Sequence, residues 1–181
     1  MDKTLDLIIK EIANAPIRSS IITATAVIES TLEKLISNCF IKDAESLRLF
    51  DGNGCLSTFS AKINIAYSMG LISKELFKDL DSYRNIRNRC AHELCMNDSI
   101  ENSIRDRAKN FYLLNNIVKM GDSENLKSYT TLEFAAIFIA LIKRLNNVEK
   151  FEEYPFEAHD NYLGFDDRDY EIISEFSKYI K

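Results

Sequence analysis

Apolar residues return along this chain at the spacing of helices. Over residues 3–14, Leu5, Ile8, Ile9 and Ile12 follow the i, i+3, i+4, i+7 pattern of one buried helical face, and Pro16 interrupts it. Residues 19–40 predict a longer helix opening on a serine cap, with Ile21, Ala24, Val27, Ile28, Leu32, Leu35 and Ile36 on one broad face. The β-branched run near its start also suits a strand, but the periodicity that follows outweighs it. Residues 47–60 hold the sharpest turn signal, Asp51-Gly52-Asn53-Gly54. Its two flanking apolar runs suggest a hairpin. Ser57 or Thr58, however, is better placed to cap a helix that carries Ile63, Ile65, Ala66 and Tyr67 and stops at Gly70. A further helix starts at a Ser73 cap, with Leu76, Phe77, Leu80, Tyr83, Ile86 and Cys90 as its inner stripe.

Residues 96–103 read as a turn, followed by a helix over 104–120 that residues 121–125 break. Thr130-x-x-Glu133 has the form of a capping box, leading into a helix over 132–145. That helix is apolar on nearly every side around 134–142, which places it at the centre of the core. Beyond Val148 come Pro155, Gly164 and a short last helix over 170–180, packing through Ile172, Ile173, Phe176 and Ile180. With only 5 glycines and 2 prolines, the chain lacks the punctuation of a many-stranded sheet protein. The expectation is all-α: a compact multi-helix domain over 1–148 with an acidic extension, 149–181, packed on or tethered to it. No repeat or low-complexity tract is present.

Composition narrows the picture. A hydrophobic fraction of 46% suffices for a substantial core. The first residues scatter charge among apolar positions, unlike a secretory signal, and the longest apolar run, 134–142, is far short of a membrane span. Cys39, Cys55, Cys90 and Cys95 fit neither a disulfide framework nor a zinc site, so free thiols in a reducing cytoplasm are expected, with no metal and no cofactor. The net charge is −5, and residues 149–181 hold ten acids against four bases, so the acidity lies in the extension.

The run LFDGNGCLSTFSAKINIAYSMGLISKELFKDLDSYRNIRNRCAHE, residues 49–93, resembles the mannitol operon repressor family. The likeness rests on the glycine turn, the helix start after it, the AYSMGLI stretch and the IRNRCAH ending. Cys55 stands where the resemblance leads one to expect a proline. The resemblance implies an all-helical regulator associated with transcriptional repression but lacking an obvious DNA-reading element; fold and family alone do not give function.

Arg87-Asn88-x3-His92 also matches the motif of HEPN domains, many of which cleave RNA. In that chemistry His92 would deprotonate a ribose hydroxyl and Arg87 would stabilise the phosphate. The competing reading makes Arg87, Asn88 and His92 a polar joint at a helix C-terminus, where cations are favoured. It is preferred because so short a motif recurs by chance and no second catalytic histidine is nearby. Arg84, Arg87, Arg89, Arg105, Arg107 and Lys109 interleave with Asp79, Asp81, Glu93 and Glu101, which predicts a solvated, salt-bridged face and no direct, sequence-specific DNA reading. In the extension, Glu152, Glu153, Tyr154, Phe156, Tyr162, Asp166, Asp167 and Asp169 combine aromatic anchors with one sign of charge, as a binder of a basic protein surface would.

The sequence therefore predicts a cytoplasmic, non-enzymatic regulator that acts by protein–protein contact, its partner a transcription regulator. The alternatives are an immunity protein that neutralises a basic nuclease toxin and, third, a HEPN-type ribonuclease. A helical core of this kind also suits a homodimer.

Overall fold

The computed structural model describes residues 3–93, 96–115 and 125–148. The all-α expectation holds: the described residues form eight helices and no strand. They are α1 (Lys3–Asn14), α2 (Ile17–Cys39), α3 (Ala44–Arg48), α4 (Phe59–Ser68), α5 (Lys74–His92), α6 (Asp98–Ala108), α7 (Tyr112–Asn115) and α8 (Leu126–Leu145). The expected last helix over 170–180 and the acidic extension lie outside the described residues.

α2 organises the domain, because it packs against α1, α4, α5 and α8. Its 23 residues make it about 34 Å long. Ile21, Ala24, Ile28, Leu32, Leu35 and Ile36 are all buried, with Val27 at the edge of the same face. The helix begins earlier than the serine cap predicts. Pro16 stands at the N-cap without a side-chain hydrogen bond, and Ser20 is buried inside the first turns. Thr25 and Thr31 return their hydroxyls to the carbonyls of Ile21 and Val27, which lets polar side chains lie on a buried face.

The other boundaries follow local chemistry. Thr58 caps α4 by accepting from the Ala61 N–H, and Ser73 caps α5 by accepting from the Leu76 N–H. Between them, Gly70 has φ +68°. The Leu71 N–H reaches back to the Ala66 carbonyl and the Gly70 N–H to that of Tyr67, each at 2.9 Å, a Schellman closure. α4 is fastened to α2 by Lys62, whose ammonium lies 2.9 Å from Glu29 and 2.8 Å from Glu33. Burial lowers the proton affinity of that lysine, but the two carboxylates overcome it and the net shift is upward.

Two expectations need correction. The helix expected over 104–120 starts at Asp98 under an Asn97 cap and stops at Ala108; a fresh turn, α7, begins after Phe111. The ring of Phe111 is fully buried between Tyr83 and Tyr129, so the chain bends to deliver it. Nor is Thr130-x-x-Glu133 a capping box. α8 starts at Leu126, capped by the Asn125 side chain accepting from Lys127, and Thr130 lies inside the helix. α8 does line the core through Phe134, Ile137 and Leu141, yet Leu132 and Ile139 remain exposed, so one of its faces is open.

Candidate functional site

The polar end of α5 comes first. Arg87 and Asn88 are half-buried and bonded to each other, guanidinium to side-chain oxygen at 3.0 Å. His92, in the last turn, is exposed, and no hydrogen bond joins its side chain to another described residue. The bond that ties this helix end to a distant helix comes from elsewhere: Arg18 of α2 donates to the carbonyl of Glu93, the α5 C-cap. The structure thus brings Arg87 and Asn88 together and leaves His92 outside their hydrogen bond. On the polar face, Arg84 pairs with Asp81 at 2.7 Å, within the same helix.

Asp79, read from the sequence as part of that solvated face, is instead fully buried. Its two oxygens accept from the backbone N–H groups of Tyr112 at 2.7 Å and Leu113 at 2.8 Å, the open donors at the start of α7. Glu133 of α8, equally buried, accepts from the next N–H, that of Leu114, at 3.2 Å. Two carboxyl groups from two helices therefore cap a third. Burial raises the pKa of Asp79. Burial first and the Asp79 charge second push Glu133 up to about 8. Tyr83, whose hydroxyl donates to the Thr130 carbonyl, is held protonated by the same burial. Asp79 falls on the inner stripe three residues after Leu76 and four before Tyr83, a signal the sequence did carry.

An apolar concavity of about 470 Å³ lies between the end of α2 and α3. Phe40, Ile41, Ala44, Leu47 and Phe50 line it, with Lys42 among its polar members. Asp43 shapes it by capping α3, accepting from the Ser46 N–H at 2.6 Å. That bond holds the exposed Asp43 carboxyl below its ordinary pKa. The Phe40 and Phe50 rings meet at 6.0 Å between centroids and form the floor. Leu47, 62% exposed, stands on the rim of a helix that buries none of its residues. Such an open apolar recess suits an anchor side chain of a partner protein.

Among the described residues, no group of histidine, cysteine and acidic side chains could hold a metal ion. No described helix is long and apolar enough to cross a membrane. Cys39 and Cys90 are buried free thiols, raised by that burial, and Cys55 is an exposed one. The acidic candidates Glu152, Glu153, Tyr154, Phe156, Tyr162, Asp166, Asp167 and Asp169 lie outside the described residues.

Comparison with known proteins settles the family. The mannitol repressor family matches over residues 6–137, which takes in α2 to α7, most of α1 and more than half of α8. This chain belongs to the mannitol repressor family. It is 26% identical over 86 residues to the mannitol operon repressors of Escherichia coli strains K12 and CFT073, an alignment covering 45% of this chain. That alignment spans 44% of the length of those relatives, less than half. Among solved structures, the fold is similar to that in the X-ray structure of the MtlR–HPr complex from Escherichia coli. The TM-score is 0.57 at 17% identity, covering 78% of this chain and 95% of that one. At that identity the likeness establishes the fold, which the family match had led one to expect.

Proposed function

We propose that this chain is a non-enzymatic regulator of the mannitol-repressor type that works by holding a protein partner, and that the partner is HPr or a protein built like it. The observation that carries this reading is the family match over residues 6–137. The similar fold was solved as a complex with HPr, which supports a protein partner. The apolar recess beside α3 supports it too, since it offers an exposed leucine over an aromatic floor. Arg87 donates to the Asn88 side chain, and His92 stands outside that bond, an arrangement that favours a structural over a nucleolytic role.

The regulatory claim is tested in the host. Deleting the gene should raise transcription of the mannitol-utilisation operon, wild type should restore repression, and Leu47→Asp should restore it poorly while remaining folded. Unchanged operon expression in the deletion strain would overturn the regulatory reading.

A further inference from the structure

The carboxyl groups of Asp79 and Glu133 are inaccessible to water, and they divide three backbone donors unequally. Both oxygens of Asp79 accept an N–H. Only one oxygen of Glu133 does; Oε1 is buried with no hydrogen-bond partner. No cation among the described residues lies within ion-pair distance of either group. Two adjacent anions without a cation are untenable at zero exposure, whereas a shared proton resolves the geometry. Asp79, supplied with two donors, is the anion, and Glu133 carries the proton and donates it to Asp79.

We propose that Asp79 and Glu133 form a one-proton clasp that fixes the start of α7 between α5 and α8, and that loss of the proton opens it. The proton leaves to solvent base, and the resulting carboxylate faces a second one. The other titratable groups near the pair do not relieve this. Glu75 of α5 adds negative charge, and Tyr83 of α5 is a buried neutral phenol. On α8, Tyr129 directs its hydroxyl to Asn115 of α7. Glu133 is raised from an ordinary 4.5, so the folded chain holds a proton that the unfolded chain has lost. The stability from the clasp is therefore fully present below the ordinary carboxylate range and is lost as pH rises through about 8.

The test is amide hydrogen exchange at Tyr112, Leu113 and Leu114 in the full-length chain from pH 5.5 to 8.5, corrected for intrinsic exchange. In wild type the opening constant should climb by nearly tenfold per unit over the lower and middle part of the range and level off as pH passes through about 8. Glu133→Gln keeps a donor for Asp79 and an acceptor for Leu114 but has no proton to lose, so its opening constant should stay flat. Parallel pH profiles in the two proteins would overturn the clasp. If Glu133→Gln does not fold, the carboxyl ¹³C shift of Glu133 in wild type decides. A midpoint well above the ordinary range upholds the shared proton, and one within that range overturns it.

Discussion

Replacing Asp79 by asparagine isolates what one buried carboxylate contributes to this domain. The amide offers a single oxygen where the carboxylate offers two, so one of the bonds to the Tyr112 and Leu113 N–H groups is lost and an NH₂ group faces a backbone donor. A hydrogen bond to a charged group contributes about 1.5–3 kcal/mol, and the surviving bond falls to roughly half its strength once the acceptor is neutral. Against this, Glu133 is mostly protonated near pH 7, and removing the Asp79 charge lets it ionise more readily. Asp79→Asn should therefore cost about 2–3 kcal/mol near pH 7, a factor of roughly 30–150 in the unfolding equilibrium. Urea denaturation followed by circular dichroism measures it. The control is Asp81→Asn, which breaks an ion pair to Arg84 whose aspartate side chain is 44% exposed and should cost about 1 kcal/mol or less. Equal costs for the two variants, or a gain from Asp79→Asn, would refute the argument that the buried carboxylate holds α7.

Other substitutions probe other joints. Lys62→Met leaves Glu29 and Glu33 one turn apart on α2 without their cation, and should cost about 1–3 kcal/mol in urea unfolding at pH 7. A cost indistinguishable from zero would contradict the ion-pair origin. In the glycine turn, a Cβ on Gly54 would stand 2.2 Å from the Leu49 carbonyl oxygen, whereas one on Gly52 meets nothing within 4 Å. Gly54→Ala should thus lower the melting temperature by several degrees and Gly52→Ala hardly at all, since backbone cannot yield as a side chain can. Purified wild type and His92→Ala should both leave RNA uncut; cleavage by wild type and not by the variant would reinstate the ribonuclease.

Much of the fold was legible because helices with one buried side repeat their apolar residues. The faces of α2 and α5, the Thr58 and Ser73 caps and the Gly70 stop all follow from spacing and local chemistry. What escaped is where a polar residue faces inward. Asp79 and Glu133 read as surface acid and cap residue, since acids usually serve in those roles; their burial depends on α7 arriving, 33 residues from Asp79 and 19 from Glu133, with open N–H groups. The break between α6 and α7 was hidden for a related reason. The apolar run starting at Phe111 looks like a continuing helix, and only the aromatic stack with Tyr83 and Tyr129 shows why the chain turns there. At the end of α5 the motif residues were visible, but the long-range partner was not: Arg18 donates to Glu93 from 75 residues away.

The most direct test of the proposed role is isothermal titration of the purified full-length chain with purified HPr at near-physiological salt. The account predicts saturable binding at one HPr per chain, weakened at least tenfold by Leu47→Asp if the recess beside α3 is the contact. Heats indistinguishable from dilution, with both proteins folded and at concentrations of about 100 µM, would contradict HPr as the partner.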